Sequence, residues 1–446
     1  MSTTFRPYAP DQSLVLPPDV REWLPEGHLA HHASDLVDGL NLTAFYVPYE
    51  GDGRRNAPYA PRMMVKVLLS HSYATGVLSS REIARKLEED AAFRMLAAGN
   101  LPQHRTLCEF RRRHLADSQT LFVEVVRLAQ ELGLARLGKL SIGGTKVRAN
   151  ASKRKAMSYD RMREEERCLE SETEALLRQA DAADTAEDAC LGAEVRGDEL
   201  PAELRRREER LAAIRAAKAR LQEAARAADD ARGRQPGHDR NPKGGPSYKR
   251  AYGEPDDKAQ SNFPYPESSI MKTSNDGFQQ CYNAQVAVDA EQPSVVATDL
   301  TANASDHGGS PVLLDAVQET LDAQPERVLA DAGYCNQRDL KDQEERAVDG
   351  YVAPGREGKQ AATRDLEKHP ATGRMVEKLA TPAGRAAYAQ RKWLSEALSG
   401  WIKHVRGFRR LSLHALAKVR GEWDLVCLAL NVKYLHVLMA AQRAGL

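Results

Sequence analysis

Two acidic residues in the C-terminal half stand where a carboxylate could do chemistry. Asp331 ends the short apolar run RVLAD and is followed by Ala332 and Gly333, a tight exit that leaves a strand-end side chain facing a crevice. Glu396 is isolated among bases. From Arg385 to Arg420 it is the one acid beside Arg385, Arg391, Lys392, Lys403, Arg406, Arg409, Arg410, Lys418 and Arg420, a local charge of +8. Tyr388, Lys392, Glu396 and Lys403 follow at intervals of four, four and seven, which a continuous helix would place on one face. Carboxylates projecting into an open site suit Mg²⁺, which takes oxygen ligands and keeps room for water and phosphate oxygens. The surrounding positive charge suits a polyanion. Each acid also has a purely structural reading, Asp331 as the cap of a turn and Glu396 as the surface partner of Lys392. A lone carboxylate in so basic a stretch is better explained by metal held beside phosphate than by charge balance.

The elements that must position these residues follow from periodicity. Residues 18–134 read as helices joined by short turns. LSSREIARKLEEDAAFRML and TLCEFRRRHL each open on a capping box, Ser79 with Glu82 and Thr106 with Glu109, and Gly99, Asn100 and Pro102 supply the turn between them. This is a helix-turn-helix-like arrangement whose second helix would display Arg105, Arg111, Arg112, Arg113 and His114 toward phosphates, or as an ordinary solvated surface. KLSIGGTKVRANA follows as a strand bounded by glycines and opens a second domain.

From Met157 to Ala231 the composition turns to Glu, Arg, Ala and Leu. Met162, Leu169 and Leu176 stand seven apart, and Leu204, Leu211, Ile214 and Leu221 fit a and d positions. Gly192, Gly197 and Pro201 break the run, which predicts an antiparallel coiled-coil hairpin inserted into the second domain. Residues 232–266 lack apolar periodicity and read as a flexible linker, whose Arg232, Arg234, Arg240, Lys243, Lys249 and Arg250 could follow a DNA backbone. Then YNAQVAVDA and SVVATDLTA predict a strand hairpin, SPVLLDAVQETL a helix, RVLADAGY a strand, Gln337–Glu345 a helix, GYVAP a strand, and the stretch from Pro382 a long helical run. The order describes an α/β fold with a mixed sheet and helices on its faces.

Composition sets outer bounds. A chain of 446 residues predicts two or three structural units, and a formal charge of +1 does not by itself announce a nucleic-acid partner. The six cysteines show no CxxC pair and read as reduced thiols. No run of about eighteen apolar residues occurs, so neither a membrane span nor export is expected, and the reading is cytoplasmic.

The combination of SIGGTKVRANASKRKAMSY, IMKTSNDGFQQCYNAQVAVDA, VLADAGYCN and YAQRKWLSEALSGWIKHVRGFRR resembles bacterial insertion-sequence DDE transposases, over residues 15–440. The resemblance implies an RNase H-like catalytic domain with a helical N-terminal DNA-binding domain (1–134), a first strand (136–155), the coiled-coil insertion (156–231), the basic linker (232–266) and the remainder of the catalytic domain (267–446). It implies Asp, Asp and Glu binding two Mg²⁺ or Mn²⁺ ions, with Asp331 as the second Asp and Glu396 as the Glu. It also implies DNA contacts by Tyr388, Arg391, Lys392, Lys403, Arg406, Arg409 and Arg410, terminal inverted repeats and target DNA as partners, and a homodimer on DNA.

One expected ligand is missing. Where the family has Asp-Gly-Thr-Lys, this chain reads Gly143, Gly144, Thr145, Lys146. Glycine has no ligand atom, so the chain is an inactivated copy, carries a sequence error, or replaces the acid from elsewhere, Asp276 and Asp289 being the nearby candidates. Loss of cleavage with retained DNA binding is the expectation. His307 reads as a turn residue, and Trp393 and Trp401 as packing residues.

Overall fold

The computed structural model describes residues 19–49, 58–133, 135–152, 155–191, 202–237, 248, 250–273, 277–355 and 369–443. The side chains of Lys392, Trp393 and 395–397 are outside that description. The N-terminal region is helical as expected, with Ser80–Glu89, Ala91–Leu96, His104–Arg113 and Leu115–Glu131 its main pieces in the second half. The predicted capping boxes do not form. Ser79 is the N-cap of its helix without a side-chain hydrogen bond, and Thr106 lies inside a helix that begins at His104, behind Gln103.

Among the described residues eight strands follow: β1 (Lys139–Arg148), β2 (Ala156–Ser158), β3 (Gln260–Asn262), β4 (Ser269–Thr273), β5 (Gly277–Asp289), β6 (Val295–Thr301), β7 (Arg327–Ala330) and β8 (Asp349–Val352). Six form one mixed sheet in the order β4-β5-β1-β7-β8, with β6 also on β5. β1 pairs antiparallel with β5 and parallel with β7, and β7 pairs parallel with β8. The glycines predicted to bound the first strand lie inside it, and β1 runs through them because Leu140, Ile142 and Val147 are buried on both sides of the pair. This sheet, with helices on its faces, is the mixed α/β architecture the sequence implied.

The insertion is a hairpin of two helices, Tyr159–Leu191 and Ala202–Ala231. Met162, Leu169, Leu211, Ile214 and Ala217 form a small core of their own with Met157. Ion pairs cross it in antiparallel register, Glu172 to Arg207 at 2.9 Å and Glu166 to Lys218 at 2.8 Å. Leu176 is half-buried, and the side chain of Leu204 falls outside the described residues.

The expected flexible linker needs correction at both ends. Asp229, itself buried, binds Arg234 at 3.4 Å and Arg250 at 2.8 Å, and Arg234 stacks on Tyr248 at 4.0 Å. Gln260–Asn262 then pairs with β2. Two of the bases proposed to follow DNA are therefore folded around a buried carboxylate. Arg240, Lys243 and Lys249 lie outside the described residues.

The predicted long C-terminal helix is instead several pieces: Pro370–Ala380, Pro382–Ala389, a 3₁₀ turn Gln390–Trp393, Ser395–Gly400, a π-helical turn Trp401–Val405, and a final helix Leu416–Arg443. Leu394 (φ −107°, ψ −91°) breaks the helical path, and Gly407 at φ 68° turns the chain away. By length and composition the final helix could cross a membrane over Leu416–Ala441. Here it packs on β6 and on Leu115–Glu131, burying Val419, Trp423, Cys427 and Val432. One continuous core joins the N-terminal helices to the sheet, so these two regions are not separately packed units.

Candidate active site

The parallel pairing of β1 with β7 sets Ile142 opposite Ala330. The next residues are Gly143, in the middle of β1, and Asp331, just past the end of β7, which makes the glycine the neighbour of the acid. Asp331 is extended (φ −81°, ψ 177°), and its Oδ1 accepts the Gly333 N–H at 2.8 Å, capping the turn Ala332–Tyr334. The capping reading of Asp331 is thus true, and it fixes one carboxylate oxygen at the mouth of the sheet.

A second carboxylate lies beside it. Asp306 comes from the loop between β6 and the helix Gly309–Leu321. A side-chain carbon added to Gly333 would meet Asp306 Oδ2 at 2.5 Å and Asp331 Oδ1 at 2.9 Å, so both acids border one small space. A carbon added to Gly144 would meet Asp306 Oδ1 at 2.8 Å, Asn283 Oδ1 at 3.1 Å and Tyr334 Oη at 3.3 Å. The Asn283 amide donates to Asp306 Oδ1 at 2.6 Å and the Lys146 ammonium lies 3.3 Å from the same oxygen. Asn283 and Tyr334 are fully buried, yet Asn283 Oδ1 and Tyr334 Oη have no hydrogen-bond partner. Burial, reinforced by the charges of Asp306 and Asp331, holds the Tyr334 phenol protonated far above its ordinary range.

The segment carrying Glu396 is fastened to β1. Lys403 donates to the Lys146 carbonyl at 2.8 Å, the Arg148 N–H donates to the Arg409 carbonyl at 3.1 Å, and the Leu411 N–H returns to the Arg148 carbonyl at 2.8 Å. The helix Ser395–Gly400 packs against β1 and β5, which brings the helix that carries Glu396 to the strand that carries Gly143. The single-face spacing of Tyr388, Lys392, Glu396 and Lys403 does not survive, because these four residues sit on four different short elements. Tyr388 stacks under Arg391, which is buried, with the guanidinium 5.5 Å from the ring. Burial lowers the Lys403 pKa, and its ammonium is turned to backbone.

Two family models match this chain: the transposase DDE domain over residues 250–432, and the transposase domain (DUF772) over residues 18–113. The chain belongs to the insertion-sequence DDE transposases. No curated protein and no solved structure matches it. The matched stretches contain Asp306, Asp331, Glu396 and the N-terminal basic cluster, whereas β1 with Gly143 lies outside both. A DDE transposase acts on DNA and depends on divalent metal.

The donors of the transposase fit a hard divalent cation in kind: two carboxylates, a buried amide oxygen without a partner, and space that glycines leave open. In number they fall short of a three-acid site, since among the described residues no group of three metal-ligating His, Cys, Asp or Glu side chains occurs. Asp289 is not the replacement acid. It is fully buried, accepts the N–H groups of Arg136 at 2.7 Å, Leu137 at 3.1 Å, Glu291 at 2.8 Å and Gln292 at 3.2 Å, and pairs with Leu140, at the other end of β1 from Arg148. Asp276 lies outside the described residues.

The transposase's N-terminal basic cluster divides. Arg111 is buried, donating to Tyr73 Oη at 3.2 Å and to the Leu78 carbonyl at 3.3 Å, and His114 is buried against Asp117 at 2.6 Å. Both serve packing because they face the helix core. Arg112 and Arg113 instead share a groove with Lys418 and Arg420 of the final helix. Arg406 lies 4.2 Å above the Trp401 ring and the Lys433 ammonium 5.3 Å from it. Burial lowers the Arg406 pKa to about 10, and its Nε and Nη2 have no hydrogen-bond partner. His307 is exposed in its turn, as read.

Sequence reasoning missed Asn283, Asp306 and Tyr334. A signal existed: Asn283 and Gln285 are polar residues two apart inside an otherwise buried strand, a period-two polar stripe aimed at one face. Asp306 in ASDHGG was passed over for His307 beside it.

Proposed function

We propose that this transposase binds the terminal inverted repeats of its insertion sequence as a homodimer, and that Gly143 holds back metal-dependent strand cleavage and transfer. The observation carrying this reading is the β1–β7 register, which sets a glycine beside Asp331 where the family has its first acid. In an intact site two Mg²⁺ or Mn²⁺ ions would activate the attacking oxygen and stabilise the leaving one. Asp331 and Glu396 are the residues to hold them. Arg112, Arg113, Lys418 and Arg420 line a groove that also holds Asp299, the ion-pair partner of Arg420, and the buried Asp424; its remaining bases suit a DNA backbone, and the unpaired Arg406 suits a phosphate. Removal of the first acid leaves these phosphate contacts in place, so end binding outlasts cleavage.

The test is cleavage of a labelled transposon-end duplex in Mg²⁺ or Mn²⁺. Gly143→Asp is expected to cut about 100-fold faster than the native chain or more, and Glu396→Ala in that background to abolish cutting, while all forms shift the end duplex equally. Equal cutting by the native chain and Gly143→Asp would overturn the assignment of the lesion. A native chain that shifts the duplex and never cuts is the non-catalytic DNA-binding protein of transposase descent, the second reading that the glycine favours.

A further inference from the structure

We propose that Asp306 and Asp331 together hold one divalent cation, at the edge of the strand position that Gly143 leaves without an acid. The inference rests on the reading of Asp331 as a metal ligand and is independent of DNA binding. Three observations carry it. The two carboxylates come from different loops, after β6 and after β7, and converge on the same space at Gly333. The absence of a side chain at Gly144 and Gly333 keeps that space open, since an added carbon at either would lie within 3 Å of a carboxylate oxygen. The fully buried Asn283 turns an oxygen with no partner into the part of the space over Gly144, next to Asp306 Oδ1. A buried amide oxygen without a donor is costly, and a hard cation is a partner that would satisfy it.

The rest of the surroundings agree. Asp306 Oδ1 is held by the Asn283 amide and the Lys146 ammonium, whereas Oδ2, the oxygen facing Asp331, takes no hydrogen bond among the described residues. The Lys146 ammonium, 3.3 Å from Asp306 Oδ1, competes with an incoming cation for Asp306. One ion fits two carboxylates and an amide with water completing its shell.

Mn²⁺ binding to the full chain without DNA, followed by calorimetry and by electron paramagnetic resonance, tests the inference. The native chain is expected to bind one Mn²⁺, Asp306→Asn and Asp331→Asn to weaken binding about tenfold or more, and Lys146→Met to tighten it severalfold. Lys146→Met keeps both acids, so a tighter complex cannot come from damage to the fold. Native-like Mn²⁺ affinity in Asp306→Asn, absence of binding to the native chain at millimolar Mn²⁺, or unchanged affinity in Lys146→Met would each overturn it. Failure here leaves the cleavage reading standing if Gly143→Asp still cuts. Asp306-dependent binding alongside a Gly143→Asp form that does not cut sinks the cleavage reading alone.

Discussion

Asp424 shows how one residue's burial becomes a pH dependence. Its carboxyl lies within the core beside Thr298, whose hydroxyl donates to it at 2.5 Å, and burial pushes its pKa up to about 6 from 3.8. Below about pH 4 the group is protonated in both folded and unfolded chains and adds nothing. As pH rises from about 4 to about 6 the unfolded chain gains a hydrated carboxylate while burial keeps the folded chain protonated, so stability falls across that window and levels off above it. Asp424→Asn, which keeps an oxygen for Thr298, is therefore expected to melt like the native protein at pH 4 and to be more stable at pH 8, by up to ~3 kcal/mol. Denaturant unfolding across pH checks this, and a pH-independent difference would count against it. Glu422, two residues earlier on the same helix, is the contrasting buried acid: it accepts the N–H groups of Ser412 and Leu413 at 3.0 Å and so ties the loop after the Glu396 segment to the final helix.

Among the elements, the inserted hairpin is the most independent. Its apolar contacts close on themselves, and its core is separate from the one shared by the sheet and N-terminal helices. Ile214→Asn places an unpaired amide in that small core and is expected to cost the hairpin about 3 kcal/mol. Hydrogen exchange should then lose protection in the helices Tyr159–Leu191 and Ala202–Ala231 while β1 and β5 keep theirs. Parallel loss in the sheet would show that hairpin and sheet unfold together. The segment around Glu396 behaves in the opposite way. It is broken into short turns and depends on β1 for its hydrogen bonds, so its position is set by tertiary contact more than by helix propensity.

For the molecule as a whole, a formal charge of +1 conceals a directed distribution. Arg112 and Arg113 reach the same groove as Lys418 and Arg420 because Leu115–Glu131 packs against the final helix. If DNA lies along that groove, Arg113→Ala with Lys418→Ala removes about two phosphate contacts. The slope of log affinity against log salt should then flatten by about two, as fluorescence anisotropy with an end duplex would measure. An unchanged slope would place the DNA path elsewhere. Arg112 pairs with Glu109 at 2.7 Å and Arg113 with the same oxygen at 3.7 Å, so the contribution of Arg112 is the smaller of the two.

Apart from the short strands β2, β3 and β4, the sequence by itself determined the class of fold, the order of the strands β1, β5, β6, β7 and β8 with the helices between them, the inserted hairpin and the strand-end placement of Asp331. Each of these is written in local periodicity or turn chemistry, and these local signals agreed with the tertiary arrangement. It also showed Gly143 at a position where the family resemblance expects an acid, since a glycine can be read directly as the absence of a ligand. Only the tertiary structure decided which charges are free. Arg111, His114, Arg234 and Arg250 look like surface bases in the sequence and are either buried themselves or bound to a buried partner, because burial depends on what a helix or loop packs against. The face shared by Tyr388 and Lys403 vanished for a related reason: spacing predicts a face only while the helix continues, and Leu394 ends it. Asp306 met Asp331 across a separation of twenty-five residues, through the crossover from β6 to β7, and no local signal carries such a meeting.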